Sequence, residues 1–332
     1  MSRPRTIVAD SWYAPSISGA TRLDGALPPR IRWLAARNGT VRGLALAAVG
    51  LRADAVVTTN PSPGATVCLI LYGLIGRRRL VLLEYIVHPP EGPGRLARVR
   101  FHLLRRVLLR RALLRAQVLT AAEVERFAAV QRVPADRFRV VQWPGRFDDT
   151  PLAARNDGRI VVATGRRTDW ETFFAAADGA DWDVRVVCTG EDLSLVRRLA
   201  AAGVVVRHDV PADEHQAIVD AATVYVIPVP ETGASIGQIR VMNATQAGVP
   251  IVASDVSGLH GYLDASCAEL VPPGDAAALR AAIDRLLADP PRRDALRTAA
   301  RARGGTMDEY LARIDDLVAD DVRGGRGRTE EG

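Results

Sequence analysis

Lysine is absent from this 332-residue chain, and all 44 of its basic side chains are arginine. Any cationic role therefore falls to guanidinium groups. Only three cysteines occur, Cys68, Cys188 and Cys267. They are far apart in apolar settings, which excludes a metal-binding spacing and a disulfide framework and fits a reducing compartment. No apolar run is long enough to span a bilayer, and Met1 to Arg5 leads directly into the strand-like Thr-Ile-Val-Ala-Asp rather than into a secretory leader. Acidic residues are scarce in the front half: residues 1–155 carry 25 Arg against 10 Asp and Glu, a balance of +15, whereas the remainder carries −9. A front half of that sign is expected to meet something anionic. What is present is an ordinary globular composition, 48% apolar and 25% charged, at a length that suits two domains.

Short apolar runs alternate with helical patterns along the whole chain. Strands are expected at 6–9, 55–59, 80–85, 117–120 and 139–142. Helices are expected over 29–49, 65–73, 94–115 and from Ala121, with Glu123 as a capping residue. Residues 144–158 turn polar and irregular. A second alternation begins at Ile160, with strands at 160–164, 184–188, 204–207, 224–228 and 251–254 and helices from Asp169, Leu193, Ala212 and Asp275. Such alternation predicts two parallel-sheet α/β domains with helices on both faces, meeting at a cleft, with ligands at the carboxyl ends of strands. The expected boundaries are a first domain 1–147, a linker 148–158, a second domain 159–300, a helix 301–320 that packs back on the first domain, and a disordered tail 321–332.

The stretch from Tyr225 to Leu259 organises the second half. A strand is followed by a small polar turn, Glu231 to Ser235, then a helix from Gly237 to Ala247 with Ile239, Met242 and Ala247 at helical spacing, then the stop Gly248-Val249-Pro250. Such a turn aims unpaired backbone N–H groups and the positive end of a helix dipole at whatever lies above the strand, and a diphosphate is the natural occupant. The segment 94–115 carries eight arginines. Arg95, Arg98, His102, Arg105, Arg106 and Arg110 share one half of a helical wheel, with Leu96, Leu103, Leu104, Val107, Leu108 and Leu114 on the other. Arg100, Arg111 and Arg115 fall on the apolar side, and the pattern suits either docking on an anionic membrane surface or acceptor or a helix that packs on its sheet and solvates its arginines. Nucleic acid is not expected, because no aromatic residues are interleaved to stack on bases.

Residues 161–304, and above all the run from Gly248 to Arg301 beginning Gly-Val-Pro-Ile-Val-Ala-Ser-Asp-Val-Ser-Gly, resemble the donor-binding domain of GT-B fold glycosyltransferases, in particular the large retaining family 4, the glycosyl transferases group 1. The resemblance implies two Rossmann-like domains and transfer of a sugar from a nucleotide-sugar donor to a hydroxyl acceptor, with retention of configuration. No DxD-like motif stands where a metal-bound diphosphate would need one, so neither metal nor cofactor is expected. The family places two glutamates eight positions apart in the organising stretch, and here those positions read Ser235 and Asn243. Both side chains hydrogen-bond hydroxyls without charge assistance, and Glu231 is a further candidate to reach the sugar. By the same resemblance Gly237, Gln238 and Ile239 carry the phosphates. Gly165, Arg166, Arg167 and Asp169 form the segment after the first strand of the domain, with Arg166 and Arg167 neutralising the leaving diphosphate. On the acceptor side the candidates are Gly19, in a reduced glycine-rich loop, and Glu84 and His88 after a buried strand. Loss of both glutamates leaves two alternatives open: a catalytically silent partner of another transferase, and a sugar-nucleotide epimerase. The expected location is cytoplasmic, at the inner face of the membrane.

Overall fold

The computed structural model describes residues 6–86, 94–150, 152 and 156–324. Contacts divide the chain into two compact units, residues 143–309 and a discontinuous unit of 1–142 with 310–332. Each holds a six-stranded sheet whose neighbours all pair in parallel. The two expected parallel α/β sheets are therefore present. Among the described residues no helix is long and apolar enough to cross a membrane.

In the first unit the strands are β1 (Ile7–Asp10), β2 (Ala20–Arg22), β3 (Ala55–Thr59), β4 (Leu80–Leu83), β5 (Leu113–Val118) and β6 (Phe138–Val140), in the order β2-β1-β3-β4-β5-β6. β3 and β4 are buried along nearly their full length, as strands covered on both faces must be. The expected helix 29–49 is broken into Pro29–Arg37 and Gly39–Gly50 at Asn38, whose side chain accepts from Thr40 N at 2.9 Å and Val41 N at 3.1 Å and so caps the second helix. Thr120 and Glu123 form a capping box at the start of the helix Ala121–Gln131.

The segment 94–115 is not one helix. A helix Arg95–Leu103 passes through a π-helical turn, Leu104–Leu109, and a short helix Arg110–Ala112, and the chain then enters β5. The π turn shifts the helical phase, so Leu109 and Ala112 are fully buried, and Leu113 pairs with Leu80 of β4. Leu96 and Val99, by contrast, are 84% and 60% exposed.

The expected helix 301–320 is also redrawn. Residues 301–303 finish the helix Pro290–Arg303, Gly304 interrupts, and a new helix runs Met307–Gly324, so 321–324 are helical rather than tail. Residues 325–332 lie outside the described residues. Tyr310 is fully buried in the first unit, where its hydroxyl lies 2.6 Å from that of Tyr13 and accepts from Gln117 Nε2 at 2.9 Å.

The second unit has β7 (Ile160–Thr164), β8 (Asp183–Cys188), β9 (Val205–His208), β10 (Val224–Ile227), β11 (Ile251–Ser254) and β12 (Glu269–Val271), ordered β12-β11-β10-β7-β8-β9. The two-residue period of a strand sorts its core into two layers. Val161, Ala163, Val186, Val224, Val226 and Val252 pack on one face with Trp170, Phe173 and Phe174. Val162, Tyr225, Ile227, Ile251 and Ala253 pack on the other with Val241 and Ala244. Both layers are apolar, and the polar ends of the strands are left to build a site.

Candidate functional site

A cavity of about 830 Å³ in the second unit lies over the carboxyl ends of β10, β7, β8 and β9. Thr164, Gly165 and Arg166 contribute from the end of β7, Cys188 and Thr189 from β8, and Asp209 and Val210 from β9. Ser235 to Arg240 and Asn243 come from the turn after β10 and the helix Gln238–Ala247, and Ala212, Asp213, His215 and Gln216 from the helix Ala212–Asp220.

The helix Gln238–Ala247 opens on Gly237 in the left-handed region, φ +86°, with no side-chain cap, and its first backbone bond is Val241 N to Gly237 O at 3.0 Å. A Cβ on Gly237 would stand 3.2 Å from Ile227 Cγ2, so only glycine carries the chain from strand to helix here. Gln238 turns its side chain away to donate to Gly258 O at 2.8 Å. Ile239, which also lines the cavity, is 58% exposed.

Arg240 supplies the site's unexpected feature. It is 7% exposed and lines the cavity. Its Nη1 donates to Thr164 O at 2.9 Å and Thr168 Oγ1 at 3.0 Å, and Nη2 to Arg166 O at 3.4 Å. All three acceptors are neutral. Burial pushes its pKa below the ordinary arginine value, with Tyr225 opposing. Gly165, at φ +105°, lies against this side chain: a Cβ there would be 2.9 Å from Arg240 Cδ and 3.1 Å from Nε. His215 Nε2 lies 3.1 Å from Thr164 Oγ1, which also bonds the buried Tyr225 hydroxyl. Burial holds His215 below its ordinary value of 6.5.

Of the residues singled out in the sequence, the cavity brings together Gly165, Arg166, Ser235, Gly237, Gln238, Ile239 and Asn243. Three others stand outside its lining. Asp169 caps the helix Trp170–Ala177, accepting from Thr172 N at 3.0 Å and Thr172 Oγ1 at 2.7 Å. Arg167 is exposed at φ +57°. Glu231 is spent on its own loop: Oε1 accepts from Gly233 N at 2.6 Å and Ser257 Oγ at 2.7 Å, and Oε2 from Ser257 N at 2.7 Å. Although burial opposes it, these donors hold its carboxyl below the usual range. Glu231, expected to reach a sugar, thus also fastens its own loop.

Glu84 and Gly19 belong to the first unit. Glu84 ends β4 in the left-handed region, φ +52°, with its N–H on Gln117 Oε1 at 3.0 Å and its Oε1 accepting from Tyr13 Oη at 2.5 Å. Gly19, at φ +72°, turns the chain before β2. His88 lies outside the described residues. Sequence reasoning passed over Arg240, His215, Thr164, Asp209 and Asp213. The rule that ligands gather at strand carboxyl ends flags the positions of Thr164 and Asp209, but nothing in the helical pattern marks an arginine as buried.

Residues 158–289 match the family model of glycosyl transferases group 1. The second unit therefore carries a domain of that kind, as the resemblance in the sequence implied. No curated protein matches the chain. Among solved structures, it is similar to HepE (Alr3699) of Anabaena in complex with UDP, at 15% identity and TM-score 0.67, over 97% of this chain and 100% of that one. It is also similar to a glycosyltransferase of Rickettsia africae, at 12% identity and TM-score 0.67 with the same coverage. Sucrose-phosphate synthase of Thermosynechococcus elongatus matches at 18% identity and TM-score 0.64, over 91% of this chain and 82% of that one. At such identities the likeness speaks for the fold. It is the GT-B fold.

Proposed function

We propose that this protein is a glycosyltransferase that moves a sugar from a nucleotide-sugar donor to a hydroxyl acceptor, with retention and without metal or cofactor. The observation that carries the reading is the cavity itself. It gathers residues 165–166 and 235–239 around an uncapped helix N-terminus inside the group 1 domain. Three strand spacings separate the ends of β10 and β9, roughly 14 Å, which suits an extended nucleoside diphosphate. Its phosphates lie at the helix end beside Arg166 and its nucleoside runs toward Asp209. As the bond from the anomeric carbon to the diphosphate oxygen breaks, its electron pair stays with the diphosphate, where fixed donors and cations stabilise the charge, while the acceptor hydroxyl oxygen bonds to the anomeric carbon and its proton passes to the departing diphosphate. Ser235 and Asn243 take hydroxyl contacts. HepE of Anabaena has been solved with UDP-glucose, which supports a donor of this class. On the acceptor side, Glu84 is the candidate carboxylate, oriented through Tyr13.

A thermal-shift panel of UDP, GDP, dTDP and CMP tests the donor site. At about a hundred times its dissociation constant a ligand adds about 2.7 kcal/mol of stability, a shift of several degrees. Silence toward every member of the panel would sink the reading.

The reading includes work at the cytoplasmic face of an anionic membrane. Its support is the helix Arg95–Leu103, where exposed Leu96 and Val99 accompany exposed Arg95, Arg98 and Arg100. The protein should sediment with phosphatidylglycerol vesicles at low salt and not with phosphatidylcholine ones. Equal indifference to both would remove the membrane from the proposal.

A further inference from the structure

Arg240 is buried, charged and without an ion pair among the described residues. A guanidinium withdrawn from water normally brings a carboxylate with it, because neutral acceptors satisfy its N–H groups but not its charge. Its position deepens the imbalance. Arg240 is the third residue of the helix Gln238–Ala247, where the helix dipole already places positive potential and favours acidic side chains. Arg166, a second cationic residue, also lines the cavity. Both Nη atoms are engaged with oxygens of the 164–168 segment, whereas Nε meets no acceptor among the described residues. Nε sits between two glycines in the left-handed region: a Cβ would approach it to 3.1 Å from Gly165 and to 3.7 Å from Gly237. Side chains at those positions would wall it off.

We propose that Arg240 is the residue that binds the diphosphate of the donor. Its Nε–H and its uncompensated charge meet a diphosphate oxygen at the helix N-terminus, and Thr164, Thr168 and the Arg166 carbonyl hold the guanidinium in place. The proposal rests on the donor reading above and names the cation in it. In a chain with no lysine, the charge that steadies the leaving diphosphate is thus built into the helix that cradles it rather than carried on the exposed arginine loop. The glycines at 165 and 237 serve Arg240 as much as they serve the turns.

Isothermal titration of the full chain with UDP, GDP, dTDP, the matching nucleosides and inorganic pyrophosphate tests this, on the native protein, Arg240→Met, Arg240→Gln and Arg240→Lys. The expected result is a loss of at least 100-fold in nucleoside diphosphate and pyrophosphate affinity in Arg240→Met and Arg240→Gln. Nucleoside affinity should be unchanged, and Arg240→Lys should recover about tenfold. Equal weakening of nucleoside and diphosphate, or no weakening, would make Arg240 a strut for the 164–168 loop and overturn the proposal. So would failure of both neutral variants to fold. A native protein that binds no diphosphate of any kind would instead remove the donor reading itself.

Discussion

Two arginines are buried among the described residues of the second unit, and they are buried in different ways. Arg293 is 1% exposed. Its Nη1 donates to Leu286 O at 2.7 Å and Leu287 O at 2.9 Å, and its Nη2 meets Asp157 Oδ1 at 2.7 Å. Arg240 is nearly as deep and makes a similar set of bonds to neutral oxygens, but no aspartate arrives. The first fastens a helix end to the segment that leads into β7, and its charge is answered by Asp157, although its Nε has no hydrogen-bond partner among the described residues. The second lies at a cavity wall, with its charge unanswered. Depth and hydrogen-bond number do not separate a structural arginine from a ligand-binding one; the counter-ion does.

The sharpest way to disturb that contrast is Gly165→Ala. A methyl at φ +105° is strained in itself and would press to 2.9 Å from Arg240 Cδ. A loss of about 3 kcal/mol is expected, read as a lower denaturation midpoint, together with weaker diphosphate binding. Loss of stability with diphosphate affinity intact would show that the seat of Arg240 is not set by Gly165. Next, Asp157→Ala turns Arg293 into a second unanswered cation. Because Asp157 is 60% exposed, water replaces it in part and the cost is about 2 kcal/mol, with nucleotide affinity unchanged. If chemical denaturation shows no loss, pairing is not what makes the two sites differ. The smallest effect concerns acid. The folded state holds His215 below 6.5 by burial, so the unfolded chain binds the extra proton and stability falls as pH drops below 6.5, while above it the full stability remains. His215→Gln should flatten that slope in melting temperatures taken between pH 5 and 7. An unchanged slope would point to other titrating groups.

The sheets were legible because buried parallel strands are short apolar runs bounded by turn residues, and β3, β4, β7, β8, β10 and β11 are of that kind. The segment 94–115 misled because leucine and arginine alternate at a spacing that satisfies a helix throughout. Only tertiary pairing of Leu113 with Leu80 ends the helix and starts β5. Within the helix Gln238–Ala247 the hydrophobic pattern inverted the truth at two neighbours, burying Arg240 and exposing Ile239. Periodicity assumes that charge faces water, and a ligand site is where that assumption breaks. The partner of Glu231 was illegible for a related reason: Ser257, 26 positions away, bonds both of its oxygens, and no local pattern marks that contact.

The helix Met307–Gly324 has a consequence in time. Tyr310 completes the buried hydrogen-bond chain with Tyr13 and Gln117, yet it is synthesised after the entire segment 143–309. At ~5–20 residues per second that segment takes roughly 10–30 s to emerge. Throughout that interval the nascent first unit must keep the slot for Tyr310 open. The unit translated first is therefore the last to be finished, and the middle unit folds while its elder neighbour waits.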